Sequence, residues 1–388
     1  MSPKTLVANK LQPFGTTIFS EMTRLAQQHQ AVNLSQGFPD FEGPTEIIDE
    51  VVSALRSGHN QYARSQGYPL LVQILSEYTE RHLNLTYDPE SEIVITSGAT
   101  EAIASGLMGL INPGDEVILF EPYYDSYPAS VIMAGGVPKY STLRYPSFEV
   151  DIDDLESLIS SKTRAIIINT PHNPTGKVFS KLELESIAQL CIKHDLLVIS
   201  DEVYEHLTYD DHRHLSIANI DNMKERTLRI SSAGKTFSFT GWKIGWAMGP
   251  NTLIQAIQAA HQFVTFSTST PMQVGLANAL RNLDPEYFTN LRNLYESHRN
   301  FLCDVLTDAG LTLTRPQGTY FVLANFEKVF EGNDREFARH LIQKIGVAAI
   351  PPSAFYSRNP DSGSNLIRFA FCKERSTLDT AAKRLRSL

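Results

Sequence analysis

Several things are scarce in this chain of 388 residues, and each scarcity excludes a class of protein. There are three cysteines, Cys191, Cys303 and Cys372, odd in number and far apart. They build neither a disulfide framework nor a metal-ligand cluster. No apolar run approaches the ~18 residues of a membrane span. Positive charge is not in excess: 34 Lys and Arg face 43 Asp and Glu, a formal net charge of −9. Duplex nucleic acid needs a basic footprint, so it is not an expected partner. Internal repeats and low-complexity segments are missing as well, which excludes solenoids and long linkers. Residues 1–22 hold no signal-peptide core, and the cytoplasm is the expected location. His206, His212 and His214 crowd a polar turn beside Arg213 with no cysteine among them, so no metal is expected.

What the chain has in abundance is alternation. Helical patterns at 45–57, 69–83, 99–111, 125–134, 152–160 and 181–194 are interleaved with short apolar runs at 93–96, 116–120, 137–141, 165–169, 197–200 and 227–230. Runs of four to six apolar residues separated by helices imply an α/β fold whose mostly parallel sheet is covered on both faces. A chain of this length exceeds one ordinary core. The texture changes after a long helix at 284–308: strands at 319–325, 347–350 and 366–371 and helices at 335–345 and 376–388 predict a smaller α+β domain. The expected division is an arm over 1–45 that packs with the small domain, a large domain over 46–284, and the long helix with the small domain over 285–388.

Ligands of parallel sheets bind beyond the carboxyl ends of the strands, so the residues just after each strand carry the functional reading. Ser97-Gly98-Ala99-Thr100 opens a helix whose free N–H groups attract an anion. Tyr123 and Tyr124 follow the next strand, where an aromatic either packs or lies on a ligand ring. Asn173 stands between Pro171 and Pro174, a capping turn or an amide fixed for hydrogen bonding. Asp201 ends a strand where a carboxylate is costly unless a positive group faces it, and Tyr204 is three residues on. Ser232, Lys235 and Lys243 complete the series; a lysine among small residues at a strand end suits a buried amine nucleophile. Gly234-Lys235-Thr236 matches the tail of a nucleotide-binding loop, but Arg229 stands where that loop needs glycine. Together these groups fit a phosphorylated aromatic aldehyde with a ring nitrogen.

With these motifs the chain resembles the class I pyridoxal-phosphate aminotransferases of fold type I, most closely the subgroup of methionine aminotransferase and the kynurenine/glutamine transaminases. The shared runs are Asn33 to Phe41, Asn60-Gln61-Tyr62, Ser97 to Ala102, Gly114 to Val117, Asn169 to Gly176, Ser200 to Tyr204, Ser232 to Gly245 and Ile367-Arg368-Phe369. The resemblance implies a seven-stranded, mostly parallel sheet sandwiched by helices, and pyridoxal 5′-phosphate as cofactor, joined covalently to Lys235. It implies that Asp201 pairs with the ring nitrogen and that Asn173 and Tyr204 hold the ring's phenolic oxygen. It implies stacking by Tyr124, with Tyr123 as the fallback one residue away, and a phosphate cradle of Ala99, Thr100, Ser232 and Lys243. Tyr62 would reach that phosphate from a second subunit of a homodimer.

The same resemblance makes Arg368 the clamp on the substrate α-carboxylate, with Asn173 and Gly37 beside it, since guanidinium matches carboxylate two-pronged. Ile18, Phe19 and Tyr124, with Phe266 of the second subunit, would line an apolar side-chain pocket. The substrates are then an amino acid and a 2-oxo acid exchanged in a ping-pong cycle, with Lys235 as the proton-moving base. Ile18 and Ser267 differ from the aromatic and histidine of kynurenine-preferring relatives, which favours methionine, with aromatic amino acids, glutamine or kynurenine after it. A cysteine-S-conjugate β-lyase would use the same residues. A ligand-sensing regulator would need a DNA-binding segment, and the short arm has no room for one.

Overall fold

The computed structural model describes residues 6–388; the first five residues of the arm lie outside them. Seven strands form the central sheet: β1 (Ile93–Thr96), β2 (Glu116–Glu121), β3 (Val137–Thr142), β4 (Thr163–Asn169), β5 (Leu197–Asp201), β6 (Thr227–Ser232) and β7 (Gly245–Met248). Their order across the sheet is β1-β7-β6-β5-β4-β2-β3. All pairings are parallel except those of β7, which runs antiparallel between β1 and β6.

The apolar runs are continuous because both faces of the sheet are covered, and side chains alternate between them. Val117, Leu119, Ile167 and Ile199 enter one core with Ile103, Leu107 and Ile257 of the helices Gly98–Leu110 and Asn251–Val264. Their neighbours Ile118, Phe120, Ile166 and Val198 enter the other with Leu184, Ile187 and Cys191 of the helix Lys181–Lys193. Each such side chain, fully buried, contributes roughly 1.5–3 kcal/mol. That last helix begins on a capping box in which Ser180 and Glu183 satisfy each other's backbone N–H groups.

The sequence pattern locates six of the seven strands and misses β7. Gly245 and Gly249 flank a four-residue run that reads as the continuation of the lysine-bearing loop. The helices Asn251–Val264 and Thr270–Arg281 were likewise without a sequence expectation. The expected strand at 347–350 is two residues long, Val347–Ala348, and pairs in parallel with Val32–Asn33 of the arm.

Strands Leu366–Ala370, Phe321–Asn325 and Thr312–Leu313 form an antiparallel sheet in that spatial order. Its core includes Leu302 and Leu306 of the long helix Tyr287–Asp308, and Phe337. It also takes in Ile18, Met22 and Ala26, one face of the arm helix Ile18–Gln28. The arm therefore lies against this second sheet and carries Gly37 toward the ends of the first. No helix among the described residues is long and apolar enough to cross a membrane.

Candidate active site

Parallel strands end on the same side, so the residues after β4, β5 and β6 arrive together. A cavity of about 340 Å³ opens there. Its wall holds Lys235, Asp201, Tyr204, Asn173, Tyr124 and Arg368, and beside them Ala99, Thr100, Ser232, Lys243, Gly37 and Phe19. Twelve of the expected residues thus share one cavity although they come from across the whole sequence. Of the two adjacent tyrosines, Tyr124 is the one on the wall; Tyr123 turns away, and its phenol bonds Ser357 at 2.7 Å.

Asp201 ends β5 and is almost fully buried. Its Oδ2 accepts from the Tyr127 hydroxyl at 2.7 Å and its Oδ1 from the Val203 N–H at 3.3 Å. Burial pushes its carboxyl up to about 6 against the pull of those bonds. Asn169, at the end of β4, donates to the Asp201 carbonyl at 3.0 Å and accepts from the Asn173 N–H at 2.7 Å, tying the two strand ends together.

Lys235 sits in the single helical turn Ala233–Thr236 that follows β6. Burial lowers its amine to about 8, close to the range where a base works at neutral pH. Its Nζ donates to the Tyr320 hydroxyl at 2.6 Å and the Gly37 carbonyl at 3.0 Å.

Arg368 lies on the strand Leu366–Ala370 with 1% of its surface exposed. Nη1 donates to Asn173 Oδ1 at 3.0 Å and Nη2 to the Ser35 carbonyl at 2.9 Å, while Nε has no partner among the described residues. The guanidinium lies 4.1 Å from the Phe321 ring centre and 5.2 Å from that of Phe19. Among the described residues no carboxylate forms an ion pair with it. Burial lowers it to about 10, which leaves it a cation at neutral pH.

The residues fit pyridoxal phosphate. The helix Gly98–Leu110 starts with no side-chain cap, so its first N–H groups are free for an anion. Gly98 has φ +79°, and a Cβ there would come within 3.2 Å of Lys243 Nζ, so a cation and the bare helix start face the same space. Among the described residues no cation forms an ion pair with the buried Asp201 carboxylate, a place that a protonated ring nitrogen would fill.

Three expected residues are not on this wall. Ile18 packs with Met22 and Ala26 on one face of its helix and lines a neighbouring cavity of about 460 Å³ with Phe355 and Asp125. Phe19, rotated about 100° along the helix, is the residue that reaches the site. Tyr62 and Phe266 are exposed, at 81% and 50%, and pack edge to face on each other at 5.2 Å. Of the declined histidines, His206 stacks on Phe288 at 3.8 Å and His214 bonds Glu202 at 3.0 Å.

Sequence reasoning missed Tyr320, Tyr127, Asn169 and Ser35. Asn169 was within reach, since it ends a strand that the pattern located. Tyr127 stands one helical turn after Tyr124, a spacing that puts both on one face. Tyr320 precedes its strand rather than following one, so the strand-end rule passes over it.

A buried guanidinium, a lysine of lowered pKa, a buried carboxylate and an uncapped helix start on one cavity wall fit a pyridoxal-phosphate aminotransferase. The chain belongs to the class I and II aminotransferase family, whose profile matches residues 29–385. It is similar to the solved N-succinyldiaminopimelate aminotransferase of Mycobacterium tuberculosis, 43% identical, with a TM-score of 0.95 over 98% of this chain and 99% of that one. It is equally similar to a solved methionine aminotransferase of Escherichia coli, 41% identical, with a TM-score of 0.95 over 99% and 100% of the two chains. A kynurenine–oxoglutarate transaminase of Mus musculus is 40% identical, over 100% of this chain and 91% of its own.

Proposed function

We propose that this aminotransferase takes its amino group from an acid with an uncharged side chain, methionine first, then aromatic amino acids, glutamine or kynurenine. The observation that carries the reading is Arg368: a buried cation without a carboxylate partner, held by Asn173 and the Ser35 carbonyl. An α-carboxylate supplies the missing charge in a two-pronged bond. Beyond it the wall is Phe19, Phe321, Tyr124 and Ile103, which suits an apolar side chain. Among the described residues the cations lining the cavity are Lys235, Lys243 and Arg368, and each already has a task in this reading. A distal carboxylate on the donor would find none left.

Pyridoxal phosphate, when bound, supplies the electron sink that lets an amino acid release its α-proton. The chain's own groups do the rest. Ala99 and Thr100 N–H groups, Ser232 and Lys243 would hold the phosphate, and Tyr124 would stack on the ring. Asp201 would keep a proton on the ring nitrogen, and Asn173 and Tyr204 would hold the phenolic oxygen. Lys235 Nζ would anchor the cofactor between turnovers and, once free of it, would serve as the base that moves the α-proton. The exposed Tyr62 and Phe266 serve the site of a second copy, so the working enzyme is a homodimer.

The test is a panel of amino donors against one 2-oxo acid acceptor. Methionine or an aromatic donor is expected to give the highest kcat/KM. A clear preference for N-succinyldiaminopimelate or aspartate would overturn the donor reading.

A further inference from the structure

Lys235, Tyr320 and the Gly37 carbonyl form a closed triangle of hydrogen bonds. Lys235 Nζ donates to the Tyr320 hydroxyl oxygen at 2.6 Å and to the Gly37 carbonyl at 3.0 Å; the Tyr320 hydroxyl donates to the same carbonyl at 2.6 Å. A neutral amine has two N–H groups and one lone pair. Both acceptors around Lys235 Nζ are oxygens, so in the neutral amine the two N–H groups are engaged by them and the lone pair takes neither of those directions. The hydroxyl is suited to this arrangement because its single proton is committed to Gly37.

All three corners are fixed. Tyr320 is 1% exposed, with its ring edge-on to Tyr204 at 5.1 Å and packed against Phe321 at 4.8 Å. Burial raises its phenol well above the ordinary value, so it stays neutral and keeps its donor. A Cβ at Gly37 would stand 2.5 Å from the Phe321 ring, so any side chain there would force that ring or the arm to shift.

We infer that Tyr320 is a positioning residue for the transamination step, holding the Lys235 amine with its lone pair aimed at the reacting centre whenever that amine is free of the cofactor. The inference rests on Lys235 being the cofactor-bearing base. It adds that the lysine does not find its direction alone. The arm segment that carries Gly37 and the strand entrance that carries Tyr320 together set it, so the same glycine lies beside both the amine and the carboxylate clamp.

The experiment is Tyr320→Phe in the full chain, which keeps the ring packing and removes the hydroxyl. With the loaded enzyme, kcat is expected to fall about tenfold with KM within about twofold, since a transition-state contact is lost without a ground-state one. The primary isotope effect on an α-deuterated donor is expected to rise, because proton removal becomes more limiting. After the cofactor is removed, the rate at which the chain takes it back up, followed by visible absorbance, is expected to slow several-fold. Tyr295→Phe, a hydroxyl lost from a ring 5.8 Å from that of Tyr320, serves as the packing control and is expected to change none of these. Wild-type kcat, isotope effect and uptake rate in Tyr320→Phe would overturn the proposal, as would equal losses in Tyr295→Phe. Borohydride reduction of the loaded wild type, followed by peptide mass mapping, separates the two levels. Cofactor mass on any residue but Lys235 sinks the underlying reading; mass on Lys235 with an unaffected Tyr320→Phe sinks only the role of Tyr320.

Discussion

Arg368 Nη1 donates to Asn173 Oδ1 at 3.0 Å, a bond that joins residues 195 positions apart and links the second sheet to the end of β4. The side chain proposed to hold the substrate is thereby fixed to a turn proposed to face the cofactor ring. Replacing the guanidinium by a lysine keeps the charge and loses both the planar fork and this bond. Hydrogen bonds to charged groups are worth about 1.5–3 kcal/mol each, so kcat/KM for methionine in Arg368→Lys is expected to fall by roughly 10–100-fold. Steady-state kinetics check this, and an unchanged kcat/KM would remove Arg368 from the site.

Asp201 gives the fold a pH dependence of unusual sign. Its carboxyl is raised from 3.8 to about 6 in the folded chain, so the folded state holds the proton more tightly than the unfolded state. The contribution to stability is present below the unfolded value and is lost as pH rises through about 6. A shift of that size corresponds to about 3 kcal/mol. Without cofactor, the melting temperature of the wild type relative to Asp201→Asn, which does not titrate, is expected to fall between pH 4 and 6.5. A difference that stays flat across this range would contradict the assignment.

Much of the site was legible because parallel strands end on one side. The strand-end rule alone brought Asn173, Asp201 and Lys235 to one place, and it marked the helix start at Gly98. It did not distinguish Tyr123 from Tyr124, since either register satisfies a two-residue run; only the direction in which each side chain leaves the strand separates them. Ile18 and Phe19 pose the same problem on a helix, where one position turns a side chain from one cavity wall to another. Tyr320 was invisible because its partners, Lys235 and Gly37, are 85 and 283 residues away. A contact of that range leaves no local pattern. Strand β7 hid because its antiparallel course follows a lysine loop with only the single helical turn Ala233–Thr236 between it and β6.

Tyr62 and Phe266 make a more exposed claim. Two aromatic side chains packed on each other and open to solvent suit a surface that a second copy covers. The loaded enzyme is expected to sediment at twice 43.4 kDa. Tyr62→Ala is expected to weaken cofactor retention about tenfold while leaving the melting temperature of the cofactor-free chain within a degree or two. A fully active monomer would contradict both statements.

The most direct measurement replaces Lys235 by alanine and follows amino transfer from methionine to a 2-oxo acid alongside the visible spectrum. The variant is expected to take up pyridoxal phosphate without a covalent bond to the chain and to lose turnover by several orders of magnitude. Transamination at the wild-type rate in Lys235→Ala would contradict the account at its centre.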